Sequence, residues 1–290
     1  MVGPSAKRRG VQHLVATQGC SERRACRLVG IARSSARYEK QVASDGSALE
    51  NAIEAEANAH RRYGYRRVTA LLKRQGWIVN HKRVHRLWRH LGLQVPKRAR
   101  RKRRVSNPDL VMRRAEYAGH VWTYDFMTIH TMRNGSVRIL NVLDEYTREC
   151  LASVVARSMP ARKVMDVLDW LFLTRGAPAH LRSDNGPEFI AQAIQTWLAE
   201  RHCQTIYITP GSPWENPFIE SFNGHFRLEC LDCFQFESGS EAQMVIDAWR
   251  NEYNQQRPHS SLGYRTPAEF AAERAAAQQH AQPTLAALSL

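Results

Sequence analysis

Three acidic residues stand where a folded chain can use them for chemistry. Asp125 interrupts the run Val121 to His130, which is rich in aromatic and β-branched residues and reads as a strand. A carboxylate in the middle of such a strand is costly to bury unless it is paired, protonated or bound to a cation. Asp184 follows a short strand, His180 to Ser183, at its C-terminal end. Glu220 falls in the first turns of a helix that Asn216 is expected to cap and Pro217 to begin. Strand ends and helix starts at a sheet edge are where ligand sites form. Hard divalent cations take oxygen ligands, and Mg²⁺ is held by a few carboxylates together with water and substrate phosphate. A pair of such ions activates one oxygen and stabilises the leaving one in an in-line phosphoryl displacement. Spacing alone does not single out this triple, because a chain with 27 acidic residues offers many others.

The elements around these acids form a pattern. Asn134-Gly135 is a hairpin turn signal, joining the first strand to a second over Val137 to Leu143. Cys150 to Ala156 reads as a third strand. Pro160 then precedes an amphipathic helix, Arg162 to Thr174. After Asp184-Asn185-Gly186, Pro187 opens a helix over Glu188 to Glu200, and Gln204 to Ile208 is a fifth strand. A loop, Pro210 to Glu215, leads to the Glu220 helix. Three strands followed by alternating helices and strands predict a mixed α/β sheet with helices on both faces. On the last helix Asn223 and Arg227 share the Glu220 face, so both are candidate DNA-binding residues, and Arg227 is placed to touch a phosphate at the acids.

Charge divides the 290 residues unevenly. The whole chain carries +15, but residues 1–116 carry +20 and residues 117–290 carry −5. A polycation joined to a mildly acidic half suggests a phosphate-binding part and a part that does something else, with nucleic acid as the expected partner. An apolar content of 43% is enough for a core, which excludes a wholly disordered chain. No run approaches the ~18 apolar residues of a transmembrane helix, so no membrane partner is expected. Lys7, Arg8 and Arg9 are followed by no apolar stretch, so a secretory signal is not expected and the expected location is the cytoplasm. Six cysteines are too sparse for a disulfide scaffold. Cys230-x-x-Cys233 has no second pair, whereas a zinc site needs four ligands, so both read as structural.

The basic half reads as helices. Val11 to Thr17 is one, Ser21 is expected to cap a second that Gly30 stops, and Ser34 to cap a third. Further on, Val68, Leu71 and Leu72 fall at i, i+3, i+4 before the breaker Gly76. Asn80 is expected to cap the next helix, where Val84, Leu87, Trp88 and Leu91 are periodic and Lys82, Arg83, Arg86 and Arg89 occupy the remaining surface, with Arg66 and Arg67 on the helix before. Two short amphipathic helices joined by a glycine turn, the second with a basic outer face, form the pattern of a DNA-reading helix pair. Lys97, Arg98, Arg100, Arg101, Lys102, Arg103 and Arg104 then crowd into eight residues. Mutual repulsion keeps such a run from packing, so it is expected to act as a linker or arm against phosphates. The expected organisation is an N-terminal helical segment (1–48), a helix-turn-helix domain (49–96), a basic linker (97–112), a catalytic core (113–275) and a tail (276–290).

In combination the motifs resemble a known family. Trp122 to Asp125, Ser183 to Phe189 and Asn216 to Gly224 are similar to the DDE transposase and retroviral-integrase superfamily, with 35 residues between Asp184 and Glu220 and Arg227 seven positions after the Glu. Tyr253 to Tyr264, followed by Thr266-Pro267, resembles the end of the integrase core in bacterial insertion sequences. Arg62 to Arg67 through Val79 to Val84 resembles their upstream helix-turn-helix. Together they resemble the downstream frame (OrfB) of transposases of the insertion-sequence-three type, over roughly residues 10–275. The resemblance implies an RNase H-like integrase core preceded by an all-α helix-turn-helix region. It implies 3′-end cleavage and strand transfer of DNA dependent on Mg²⁺, with Mn²⁺ as a substitute and two ions, and with Asp125, Asp184 and Glu220 as catalytic metal ligands. It also implies an upstream partner (OrfA), joined by frameshifting, and a homo-oligomer on DNA. The chain shows no sustained heptad of its own.

Rival readings attach to several residues. Glu188 is expected to support a helix dipole rather than a metal, and Asp144 and Glu145 to sit in a solvated turn. Trp122, Trp170, Trp197 and Trp249 are expected in the core, whereas Trp214 is a candidate flap residue. Two other functions fit the same features: a non-catalytic DNA-binding regulator of element ends, and a hydrolytic nuclease in which water replaces the 3′-OH. The presence of all three acids argues against a decayed core.

Overall fold

The computed structural model describes residues 3–38, 46–94, 114–183, 192–208 and 216–281. The chain divides into two compact units, Met1–Ala52 and Ile53–Leu290. In the first, α1 (Pro4–Gln18), α2 (Glu22–Val29) and α3 (Arg33–Ala36) close over Val11, Ala25 and Cys26. The Ser21 side chain accepts from the Arg24 N–H, and Gly30 ends α2 at φ +68°, as the sequence predicts. Ser34 does not cap. It lies inside α3, because Ala32 already takes the extended backbone of an N-cap. The first helix also starts earlier than expected, at Pro4, whose fixed φ suits a first helical turn.

The helix α4 (Gly46–Ala59) carries the boundary between the units. Beyond it, α5 (Tyr65–Arg74) packs on α6 (His81–His90), with Val68, Leu72, Val84 and Trp88 buried. Gly76 turns the chain at φ +91°, a left-handed conformation that costs glycine little. The Asn80 side chain accepts from the Lys82 N–H at 2.9 Å and starts α6. This helix pair belongs to the same compact unit as the sheet that follows.

That sheet has the order β3-β2-β1-β4-β5, from β1 (Val121–Thr131), β2 (Gly135–Asp144), β3 (Cys150–Ala156), β4 (His180–Ser183) and β5 (Gln204–Tyr207). The first three are antiparallel and the last two run parallel to β1, which makes the sheet mixed. Gly135 at φ +66° closes the β1–β2 hairpin. On β1 the residues alternate between faces. Trp122 and Tyr124 join α7 (Ala161–Arg175) and α8 (Gln192–Glu200) through Leu168, Leu171, Ile194 and Leu198. Met127 joins the opposite layer, where α9 (Pro217–Glu229) and α10 (Gly239–Gln255) contribute Ile219, Phe222, Phe226, Ile246 and Trp249. The last described helix, α11 (Pro267–Ala281), packs on α10 and runs beyond the residue at which the tail was expected to begin.

Two expectations fail for physical reasons. Asp144 and Glu145 are not in a solvated turn but are 4% and 1% exposed. The turn folds inward, so the Asp144 carboxylate accepts from the backbone N–H groups of Gly119, Tyr146 and Thr147. Glu145 pairs with Arg182 of β4 at 2.8 Å, where burial pushes its carboxyl up to about 7 against the pull of Arg182 and Arg148. Trp122 and Trp249 are buried and Trp197 packs on Phe172, but Trp170 is 59% exposed on the outer side of α7. Burial therefore predicts opposite outcomes on one helix. Leu168→Ala should cost about 2–5 kcal/mol in urea unfolding, because it opens a cavity under the sheet. Leu173→Ser, at a position 87% exposed, should stay within about 0.5 kcal/mol of wild type.

Candidate active site

The hairpin register sets Asp125 directly opposite Asn141 on β2. Asp125 lies on the α9 face of the sheet, two residues from Thr123 and two from Met127. One carboxylate oxygen, Oδ1, accepts from the Phe126 N–H at 2.8 Å. The other, Oδ2, accepts from Nδ2 of Asn223 on α9, also at 2.8 Å. The Asn223 Oδ1 in turn accepts from Asn141 Nδ2 at 2.8 Å, and Asn141 Oδ1 accepts from the Ser153 hydroxyl of β3 at 2.8 Å. One polar chain thus runs from the edge strand through the centre of the sheet to the carboxylate. A second anchor lies nearby: the Thr123 hydroxyl donates to Asn216 Oδ1 at 2.6 Å, with both residues buried.

Asn216 is therefore not a side-chain cap, because its carboxamide is engaged by the strand. It nonetheless immediately precedes α9, and the Glu220 N–H bonds to its carbonyl at 3.2 Å. Glu220 is exposed in the first helical turn, where the helix dipole favours an anion. Asn223 lies one turn on from Glu220 and holds Asp125, so the two acids belong to one α9–β1 junction. Arg227, one further turn along, is exposed.

Asp184 follows Ser183, the last residue of β4, and lies outside the described residues, as do Lys97, Arg98, Arg100, Arg101, Lys102, Arg103, Arg104, Glu188 and Trp214. Within the helix pair, Arg66, Lys82, Arg86 and Arg89 are exposed and Arg83 is half-buried. Arg67 stands apart. Its guanidinium turns inward to Glu229 Oε1 at 3.3 Å and to His225 Nε2 at 3.1 Å. Asn223, expected as a DNA contact, has its amide between Asn141 and Asp125. Sequence reasoning missed Asn141, Ser153 and Thr123. A polar Asn in the apolar run Val137 to Leu143 was the available signal, since counting back from Asn134-Gly135 sets it opposite Asp125.

Residues 115–213 and 201–267 match families described as Integrase core domain, and residues 45–103 match an HTH-like domain. A protein of insertion element IS407 from Burkholderia multivorans is 41% identical over 87% of this chain and 91% of its own length. A protein of insertion element IS476 from Xanthomonas euvesicatoria is 38% identical over 93% of this chain and 78% of its own. The transposase of insertion sequence IS904 from Lactococcus lactis is 28% identical over 77% of this chain and 92% of its own. The chain belongs to the DDE transposases of bacterial insertion elements.

The transposase core offers a donor set suited to a hard divalent cation. Asp125 and Glu220 are carboxylates, and neutral N–H donors on Asp125 hold it in place while leaving it an oxygen ligand. At the far end of α9 the transposase carries a buried cluster. Arg257, 1% exposed, makes two hydrogen bonds to Glu229 at 2.6 and 2.7 Å, and Arg67 adds a third. Arg257 also donates to His259 Nε2 at 3.0 Å. Burial, then the charges of Arg257 and Arg67, pushes His259 down from 6.5 to about 2. Below 6.5 the unfolded chain therefore binds a proton that the folded chain refuses, so stability falls with pH. This group contributes about 1.4 kcal/mol for each pH unit. Urea unfolding should show wild type losing more stability between pH 7.5 and 5 than His259→Gln does. Equal losses would remove His259 as the source.

Proposed function

We propose that this transposase cleaves DNA at the 3′ ends of its element and joins those ends to target DNA, with Asp125, Asp184 and Glu220 as the metal ligands. The observation that carries this reading is the Asn223–Asp125 hydrogen bond, which ties the helix of Glu220 to the strand of Asp125. Asp184 follows β4, the parallel neighbour of β1. Mg²⁺, with Mn²⁺ as a substitute, fits three carboxylates, and two ions would activate the attacking oxygen and stabilise the leaving one.

The remaining work falls to the chain. The nucleophile is a DNA 3′-OH or water, so the protein's task is to place phosphate and carboxylates together. Asn223 is a positioning residue that fixes the Asp125 carboxylate. Exposed Arg227 is placed to receive a backbone phosphate near Glu220. Arg66, Lys82, Arg83, Arg86 and Arg89 on the helix pair engage the duplex, and the run Lys97 to Arg104 follows its phosphates without reading sequence. Assembly on DNA as a homo-oligomer, and action with an OrfA-type upstream partner, complete the reading. No described helix is long and apolar enough to cross a membrane.

A disintegration assay tests the triad. Branched DNA mimicking a strand-transfer product is incubated with Mg²⁺ or Mn²⁺ and either wild type or Asp184→Asn. Wild type should release the branch, and the variant should not, while its DNA affinity stays within a few-fold. Equal activity in the two would remove Asp184 from the site. For the helix pair, Arg86→Gln combined with Arg89→Gln should weaken binding to all duplexes alike. It should also flatten the dependence of log affinity on log salt by about 0.9 for each lost phosphate contact. An unchanged slope would place the duplex elsewhere.

A further inference from the structure

Helix α9 has a second polar side, away from Asn223. There Ser221 and His225, one turn apart, border a cavity of about 350 Å³. Its other polar walls are Arg67 of α5, Arg148 between β2 and β3, and His259 to Ser261 after α10. None of the described residues lining it is a carboxylate.

The cations around this cavity lack balancing charge. Arg67 and Arg257 share the single carboxylate of Glu229. Arg148 makes no ion pair among the described residues, and its buried Nη1 donates to none of them. It stacks instead on the Phe218 ring, with its guanidinium carbon 3.7 Å from the ring centroid. Of the two acids whose charges act on Arg148, Glu145 is paired with Arg182 and Asp144 is held by the backbone N–H groups of Gly119, Tyr146 and Thr147. Arg257 is buried and Arg67 and Arg148 are half-buried, and partly desolvated cations in excess call for an anion.

The hydrogen-bond polarity agrees. An arginine can only donate, so His225 Nε2 accepts from Arg67, and its Nδ1–H donates to the Ser221 carbonyl at 2.7 Å. By the same rule His259 Nε2 accepts from Arg257 at 3.0 Å. As a neutral ring, His259 therefore carries its proton on Nδ1. The hydroxyls of Ser221, Ser260 and Ser261 add donors to the same walls. A cationic, donor-rich cavity without an acid suits an anion that accepts hydrogen bonds on every side and carries one or two charges. Its volume holds a phosphate group together with several waters, each occupying about 30 Å³.

We propose that the cavity between Arg67, Arg148, His259 and Ser260, on the side of α9 away from Asp125, is a phosphate-binding site. Its occupant is either a DNA backbone phosphate or free phosphate. The site does not depend on the assignment of the metal ligands. Because its walls come from α5 and α9, an occupant draws the DNA-reading helix pair and the catalytic helix together.

The test melts the full chain at constant ionic strength in chloride buffer, with inorganic phosphate replacing part of the chloride, for wild type, Arg148→Gln and Ser260→Glu. Phosphate should raise the wild-type midpoint in a saturable way. The rise should be lost in Arg148→Gln, which removes a cation, and in Ser260→Glu, which sets a carboxylate at an exposed edge of the site. No rise in wild type would overturn the proposal, and so would an undiminished rise in the variants. Should Arg148→Gln fail to fold, Ser260→Glu alone decides. Duplex binding then separates the sources. If DNA supplies the phosphate, Ser260→Glu flattens the salt slope by about 0.9. If the slope is unchanged while the phosphate response is lost, the ligand is free phosphate. Both results support the site.

Discussion

The α9–β1 junction must do two things at once, and different forces do each. Ile219, Phe222 and Phe226 supply adhesion between helix and sheet, but apolar contact is non-directional and tolerates sliding. Direction comes from two polar contacts set into that interface, Asn223 to Asp125 and Thr123 to Asn216. A slip of α9 by one turn, about 5.4 Å, would leave Asp125 Oδ2, Asn141 and Thr123 without their partners. Each buried loss costs about 1–3 kcal/mol, so the polar pairs turn a greasy contact into a single register. Glu220 shares that register, since it lies on the same helix one turn before Asn223.

The polar chain behind Asp125 also explains why the central strands depart from apolar alternation. Asn141 and Ser153 occupy core positions that hydrophobic residues would fill more cheaply. Their groups are satisfied by one another, and the chain ends on a carboxylate. In a low-dielectric interior such a chain is stiff, and it holds the Asp125 carboxylate in one orientation.

Most of the architecture was legible in the sequence because its signals are local. Asn134-Gly135 fixed the hairpin, Pro160 and Pro217 marked helix starts, and Asn80 and Ser21 capped as read. The positions of Asp125 and Glu220 on a strand and a helix start followed from the same signals. What failed was decided by contacts across elements. Asp144 and Glu145 read as surface because acids at a strand end usually are, but backbone N–H groups satisfy Asp144, and Arg182, 37 residues beyond Glu145, pairs with Glu145. Asn216 read as a cap because Asn before Pro usually is, but a threonine 93 residues earlier takes its side chain. Trp170 read as core from its size, whereas helical phase puts it on the outside of α7.

Arg67 carries the same lesson into electrostatics. A strongly basic segment invites the view that every cation in it is there for a phosphate, and for exposed Arg66, Arg86 and Arg89 nothing in their surroundings opposes that view. Arg67 is the neighbour of Arg66 in sequence, yet a helical step of about 100° turns it from the outer face to the inner one. There it meets Glu229, which is the last residue of α9 and already holds Arg257. Two guanidiniums on one carboxylate are stable only if something relieves the excess, and His259 does so in part by refusing its proton. The C-terminal half of α9 is thus tied to α5 by charge, while its N-terminal half is tied to the sheet by hydrogen bonds. A displacement of the helix pair must therefore act on the end of the helix opposite Glu220, and the rigidity of thirteen residues of α-helix carries it to the carboxylate.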